Sequence, residues 1–168
     1  YVEPDVHPAI IMCTSGTTGI PKGAMLTESN LITNISDIAL YFHIKSTDGI
    51  LISRPLYHCA VLTGEFLISL VKGTRIHFYS GSFDPAHVLN LVKKFRITAF
   101  CATPTLLSMM VHFKRNQECD SLKHICISGE CMSLGVGNQI AKAFPEAKIY
   151  HIYGLTEACP RVSYLPPD

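Results

Sequence analysis

Apolar positions along the chain fall into short runs separated by longer stretches of helical spacing. Ala9 to Cys13 is a compact apolar run and reads as a buried strand, followed by Gly, Thr and Pro punctuation through residue 23. From Thr27 onward, Leu31, Ile32, Ile35, Ile38, Ala39 and Phe42 recur at the three- and four-residue spacing of an amphipathic helix, with Thr27 or Ser29 as N-cap. The alternation then continues: strand 50–53, helix 61–71, a turn at Lys72-Gly73, and strand 75–79. Asp84 can cap a helix that has Pro85 in its first turn and Val88, Leu89, Leu91, Val92 and Phe95 on its apolar side. Strand 98–102, helix 105–114, strand 124–128, helix 133–144 and strand 147–153 complete the series. Such repetition predicts an α/β fold built from βαβ units, with a mainly parallel sheet flanked by helices. Sites in these sheets form in the loops leaving the carboxyl ends of strands. Here those are the loops after Cys13, Ser53, Ile127 and Ile152.

Length and composition bound the picture without changing it. At 168 residues the chain suits about one domain, and 48% hydrophobic against 16% charged residues excludes a disordered tail. A net charge of +1 argues against nucleic acid as a partner, which would call for a positive surplus. No apolar run reaches the ~20 residues of a membrane span, and no secretory leader is visible. The cysteines Cys13, Cys59, Cys101, Cys119, Cys126, Cys131 and Cys159 are odd in number and form no Cys-x-x-Cys pair. They are expected to be buried reduced thiols in a reducing, cytoplasmic compartment. Apart from His58 and His151, the histidines stand singly, without ligand spacing.

The densest candidate chemistry is Thr14-Ser15-Gly16-Thr17-Thr18-Gly19-Ile20-Pro21-Lys22-Gly23, directly after the first predicted strand. Glycines let backbone N–H groups approach oxygens closely, hydroxyls donate hydrogen bonds, and Lys22 adds a point charge, which together suit a polyphosphate. It is neither a Walker loop, which requires Gly-Lys-Ser/Thr, nor a dinucleotide-binding Gly-x-Gly-x-x-Gly. A second cluster, Tyr153-Gly154-Leu155-Thr156-Glu157, follows the last predicted strand. It combines an aromatic able to stack a nucleobase, a hydroxyl for phosphate and a carboxylate for Mg²⁺.

The first loop resembles the signature of adenylate-forming enzymes, and its Thr17-Thr18 pair is closer to the acyl-CoA synthetase and 4-coumarate–CoA ligase branch. The second resembles the family's Tyr-Gly-x-Thr-Glu motif. Pro55-Leu56-Tyr57-His58 is similar to the segment lining the acyl pocket, and Ser128-Gly129-Glu130-Cys131-Met132 to the turn that passes beside adenine. In that turn Ser128 stands where the family has glycine, which conflicts with any need for a positive φ there. Ala102 to Leu107 resembles a structural Val-Pro-Thr segment of the family.

The resemblance implies ATP-dependent acid–thiol ligation: a carboxylate is activated as an acyl-adenylate with release of pyrophosphate, then passed to coenzyme A. It implies that Thr14, Ser15, Gly16, Thr17, Thr18, Gly19 and Lys22 hold the β- and γ-phosphates. It further implies that Gly129, Glu130, Cys131, Tyr153, Gly154 and Leu155 line the nucleotide, that Thr156 contacts the phosphate that becomes AMP, and that Glu157 binds Mg²⁺. Lys22, Thr156 and Glu157 would be the catalytic set. Tyr57 and His58 would face a small-molecule carboxylate, with Cys59, Gly64 and Glu65 as further pocket residues and His151 near the nucleotide. Residues 1–168 would form a single partial domain, the middle of the family's large N-terminal domain. The ribose-binding Thr-Gly-Asp and the C-terminal domain would be absent, so this stretch alone is expected to be inactive and prone to self-association. Three alternatives stay open: a nucleotide-binding module without catalysis, a peptide-synthetase adenylation domain, and an unrelated Rossmann-like enzyme.

Overall fold

The computed structural model describes residues 7–14, 22–114 and 119–167. Strands β1 (Pro8–Thr14) and β2 (Lys22–Thr27) form an antiparallel hairpin outside the main sheet, with Thr14 opposite Lys22. The six-stranded main sheet contains β3 (Gly49–Ile52), β4 (Arg75–Phe78), β5 (Ala99–Ala102), β6 (His124–Ile127), β7 (Lys148–Gly154) and β8 (Arg161–Leu165), in the order β4-β3-β5-β6-β7-β8. All pairings are parallel except β7 with β8.

Local sequence explains most elements. Thr27 caps α1 (Glu28–Phe42) through a reciprocal capping box with Asn30. Asp84 accepts from the amides of Ala86 and His87 ahead of Pro85, which opens α4 (Pro85–Phe95). Gly73 at φ 65 ends the preceding helical segment. That segment consists of α2 (Cys59–Val61), a π-helical turn (Leu62–Leu67) and α3 (Ile68–Lys72). The strands β3, β5 and β6 are buried at every position, because helices cover both faces of the sheet. One core joins α4, α5 (Pro104–Lys114) and α6 (Leu134–Ala143) to the sheet through Val88, Leu107, Ile125 and Ile140. The other packs Ile38, Phe42 and Ile68 against Ile50, Cys101 and Tyr150.

The structure corrects several expectations. The run at Ala9–Cys13 is a strand, but only Met12 is buried, since a two-stranded ribbon leaves most side chains in solvent. Lys22–Thr27 is a strand rather than loop. Strand β1 is therefore followed in the chain by an antiparallel partner strand rather than directly by a helix. Strand β8 adds to the predicted series; its mostly exposed side chains give it no apolar run. All seven cysteines are free, but Cys13 and Cys131 are exposed. No helix is long and apolar enough to cross a membrane, among the described residues.

Candidate active site

Loops converge at the carboxyl ends of β3, β5, β6 and β7. After β6, the chain reverses at Gly129, whose φ of 96 is the left-handed conformation glycine permits. The positive φ thus falls on Gly129 rather than Ser128, so the serine does not strain the turn. Glu130 bends back to α5: its carboxylate accepts from the Thr105 hydroxyl at 2.6 Å and from the Thr105 amide at 3.4 Å. A negative group at that helix start is favourably placed.

After β7, Gly154 leads through Leu155 into a single 3₁₀ turn, Thr156–Ala158. Leu155 N–H donates to the Pro160 carbonyl at 2.8 Å, and Ala158 N–H to the Leu155 carbonyl at 3.0 Å. From α1, the Asn34 side chain donates to the Arg161 carbonyl at 3.0 Å and clamps the far side of the loop.

These loops enclose two adjoining cavities. The first, about 330 Å³, is lined by His58, Thr103, Ser128, Leu155 and Thr156, among others. The second, about 510 Å³, is bounded by Glu130, Cys131, His151, Tyr153 and Tyr164. Gly129, Ile152 and Gly154 belong to both. Tyr153 is largely exposed on the rim of the larger cavity. Glu157 lies on neither; it borders a shallow hollow of about 240 Å³ with Asn30, Thr33 and Asn34. Tyr57 also lines neither cavity and is exposed, its ring 4.6 Å from that of His58.

Of the glycine-rich segment 14–23, the structure describes Thr14, Lys22 and Gly23. Thr14 and Lys22 face each other across the hairpin, where the Thr14 hydroxyl donates to the Lys22 carbonyl at 3.4 Å. Ser15, Gly16, Thr17, Thr18 and Gly19 lie outside the described residues. A small apolar cluster of Met12, Leu26, Leu31, Cys59 and Cys159 ties this hairpin to α1, α2 and the turn that follows Thr156.

Two cations on the first cavity, Arg54 and Arg161, had no advance signal in the sequence. Arg54 donates to Glu65 at 2.6 Å, and the two side chains are 11% and 0% exposed. Burial pushes the Glu65 carboxyl up, more than the Arg54 charge pulls it down. Arg161 donates to the Tyr41 hydroxyl and to the Gly64 carbonyl, the latter at 3.1 Å. Burial drives the Tyr41 hydroxyl up to about 12, against the opposing pull of Arg161. Of the pocket residues named from the sequence, His58 and Cys59 line this cavity, whereas Gly64 and Glu65 act by holding Arg161 and Arg54.

A parallel sheet whose strand ends carry two contiguous cavities, with glycines at their shared wall, defines a ligand-binding α/β domain. The chain belongs to the AMP-binding enzyme family, whose family model matches residues 2–168. It is 33% identical over 160 residues to a feruloyl-CoA synthase of an Amycolatopsis species, covering 93% of this chain and 32% of that protein. It is 32% identical over 149 residues to the acyl-CoA ligase sidI of Aspergillus fumigatus, covering 88% and 25%. The fold matches O-succinylbenzoate coenzyme A synthetase from Bacillus subtilis, solved in complex with ATP and a magnesium ion. That match has a TM-score of 0.85 and 27% identity, covering 96% of this chain and 33% of that one. The chain thus spans about a quarter to a third of the length of these relatives.

Proposed function

We propose that the full-length protein uses ATP to activate a carboxylic acid and transfers the acyl group to coenzyme A. In the first step a carboxylate oxygen attacks the α-phosphorus, the bond to the β-phosphate oxygen breaks, and pyrophosphate leaves. In the second, a thiol sulfur attacks the acyl carbon and AMP departs with the carboxyl oxygen. The observation that carries this reading is the common wall of the two cavities, Gly129, Ile152 and Gly154. A nucleotide in the larger cavity and an acid in the smaller would meet across it, and holding two reactants in contact is the main catalytic contribution such chemistry needs.

Within this reading Tyr153 covers the base, Thr156 binds the α-phosphate on the acid side, and Lys22 with the hydroxyls of Thr14, Ser15, Thr17 and Thr18 holds the remaining phosphates. Magnesium would neutralise charge on those phosphates. Among the described residues no three acidic, His or Cys side chains group as a metal cage. A lone exposed carboxylate such as Glu157 nevertheless fits an ion held largely by substrate oxygens. The relatives are named for both aryl and acyl CoA ligation, which supports the ligase class in general.

Carboxylate-dependent exchange of labelled pyrophosphate into ATP, measured on the full-length protein across aryl, fatty and amino acids, tests the reading. Exchange with one acid class supports it and identifies the branch. Absence of exchange with every acid, alongside measurable ATP binding, would instead indicate a nucleotide-binding module.

A further inference from the structure

The wall of the smaller cavity carries more cationic than anionic groups. Arg54 and Arg161 line it, and no acidic residue does. The Arg54 charge is matched by Glu65 at 2.6 Å. Arg161 has no carboxylate within ion-pair distance among the described residues; its hydrogen bonds go to the Tyr41 hydroxyl, the Gly64 carbonyl at 3.1 Å and the Cys126 sulfur at 3.9 Å, and its guanidinium lies 5.8 and 5.9 Å from the Tyr41 and Phe42 ring centres. Burial pushes the Cys126 thiol up, but Cys101 and the Arg161 cation outweigh it and leave it below its ordinary value. Sulfur at that distance remains a weak acceptor. A guanidinium has five N–H donors, so these three contacts leave some unused.

The backbone is also shaped around this group. A Cβ on Gly64 would lie 2.5 Å from Arg161 Nη2, so the lack of a side chain there lets the guanidinium seat against the helical segment. A half-buried cation without a direct ion-pair partner is costly, and a ligand that supplies the charge reduces the cost.

We propose that the smaller cavity accepts a carboxylic acid whose far end bears a second anionic group, held by Arg161. This rests on the ligase reading above and names its substrate class. The planar guanidinium can take a carboxylate through paired hydrogen bonds. The lining also includes Cys59, Ala60, Leu155 and Pro160, apolar groups that suit a short hydrocarbon link. A volume of about 330 Å³ is at the small end for ligand cavities and favours a compact diacid over a long chain.

The test compares pyrophosphate exchange by the full-length protein for matched pairs, hexanoate with adipate and cinnamate with 4-carboxycinnamate. The diacid of at least one pair should have a kcat/KM at least tenfold higher. In Arg161→Met that ratio should fall at least tenfold whatever the absolute rates, and Arg161→Lys should keep the order of preference. Calorimetric titration with the diacids gives a readout independent of turnover, and circular dichroism verifies folding. If Arg161→Met does not fold, the wild-type pairs and Arg161→Lys decide. Preference of the wild type for both monoacids, or an unchanged ratio in folded Arg161→Met, overturns the inference and leaves the ligase reading standing. Absence of exchange with every acid overturns both.

Discussion

The carbonyl oxygen of Pro160 occupies the space in which a side chain on Gly154 would begin: a Cβ there would lie 2.1 Å from it. The same oxygen accepts the Leu155 amide at 2.8 Å, so the contact locks the exit of β7 to the start of β8. Backbone on both sides leaves nothing flexible to yield. Gly154→Ala should therefore cost about 1–3 kcal/mol or more in urea unfolding, and should weaken ATP binding measured by calorimetry. An alanine variant of wild-type stability would show that this close approach relaxes freely.

The Arg54–Glu65 pair makes a second prediction. Removing one member strands the other charge, and for buried pairs that costs roughly 3–5 kcal/mol. Arg54→Met should be destabilised on that scale, while the double change Arg54→Met with Glu65→Met should recover much of the loss. A double-mutant cycle by denaturant unfolding measures this coupling, and simple additivity would contradict it.

His124 should make stability fall in mild acid. It is buried against Phe42, with the Tyr150 hydroxyl 3.5 Å from Nδ1. Burial lowers its pKa; Asp48 acts the other way, while Lys148, His43 and Lys123 add to the lowering. A base whose folded pKa lies below its unfolded value binds fewer protons when folded. Stability is then complete above the unfolded pKa, about 6.5, and is lost as pH falls through the folded value. The drop in urea midpoint from pH 7.5 to pH 5.5 should be smaller in His124→Gln than in the wild type.

Within the proposed ligase chemistry, Glu157→Gln should lower exchange at fixed Mg·ATP by on the order of a hundredfold, with the KM for the acid nearly unchanged. Equal losses in both would argue against a metal role for Glu157.

Tyr153→Ala should raise the KM for ATP by about three- to tenfold if its ring covers the base, since such stacking contributes roughly 0.5–1.5 kcal/mol. Tyr153→Phe, which keeps the ring, should be close to wild type; equal effects of the two changes would place the hydroxyl, not the ring, at the nucleotide.

Much of the fold was legible because its signals are local. Capping at Thr27 and Asp84, the stop at Gly73 and the strand–helix alternation each depend on neighbours a few residues apart. What was missed depends on partners distant in the chain. Strand β2, a short mix of Lys, Gly, Ala and Thr around Met25 and Leu26, is defined by pairing with β1. Strand β8 is an edge whose side chains are mostly exposed, so it lacks the apolar run that marked the others. The candidate site divides the same way. The glycine turn at 129 and the Tyr153–Thr156 segment were visible as motifs, and the fold brings both to the shared cavity wall. Arg54 and Arg161 were not visible, because a cation in a strand-end position acquires meaning only when Glu65, Gly64 and Tyr41 arrive from other elements.

The β1–β2 hairpin shares no strand with the main sheet and is attached through a handful of apolar side chains around Met12 and Leu26. Two-stranded ribbons are marginal on their own. The amides of Ile10–Thr14 and Lys22–Leu26 should accordingly exchange with deuterium through a local opening of lower free energy than those of β5 and β6. Because the ribbon ends at Thr14 and Lys22, any anion captured between them would slow that exchange and leave the sheet's unchanged. The hairpin would then report ligand capture as a separately melting unit, detectable without any turnover.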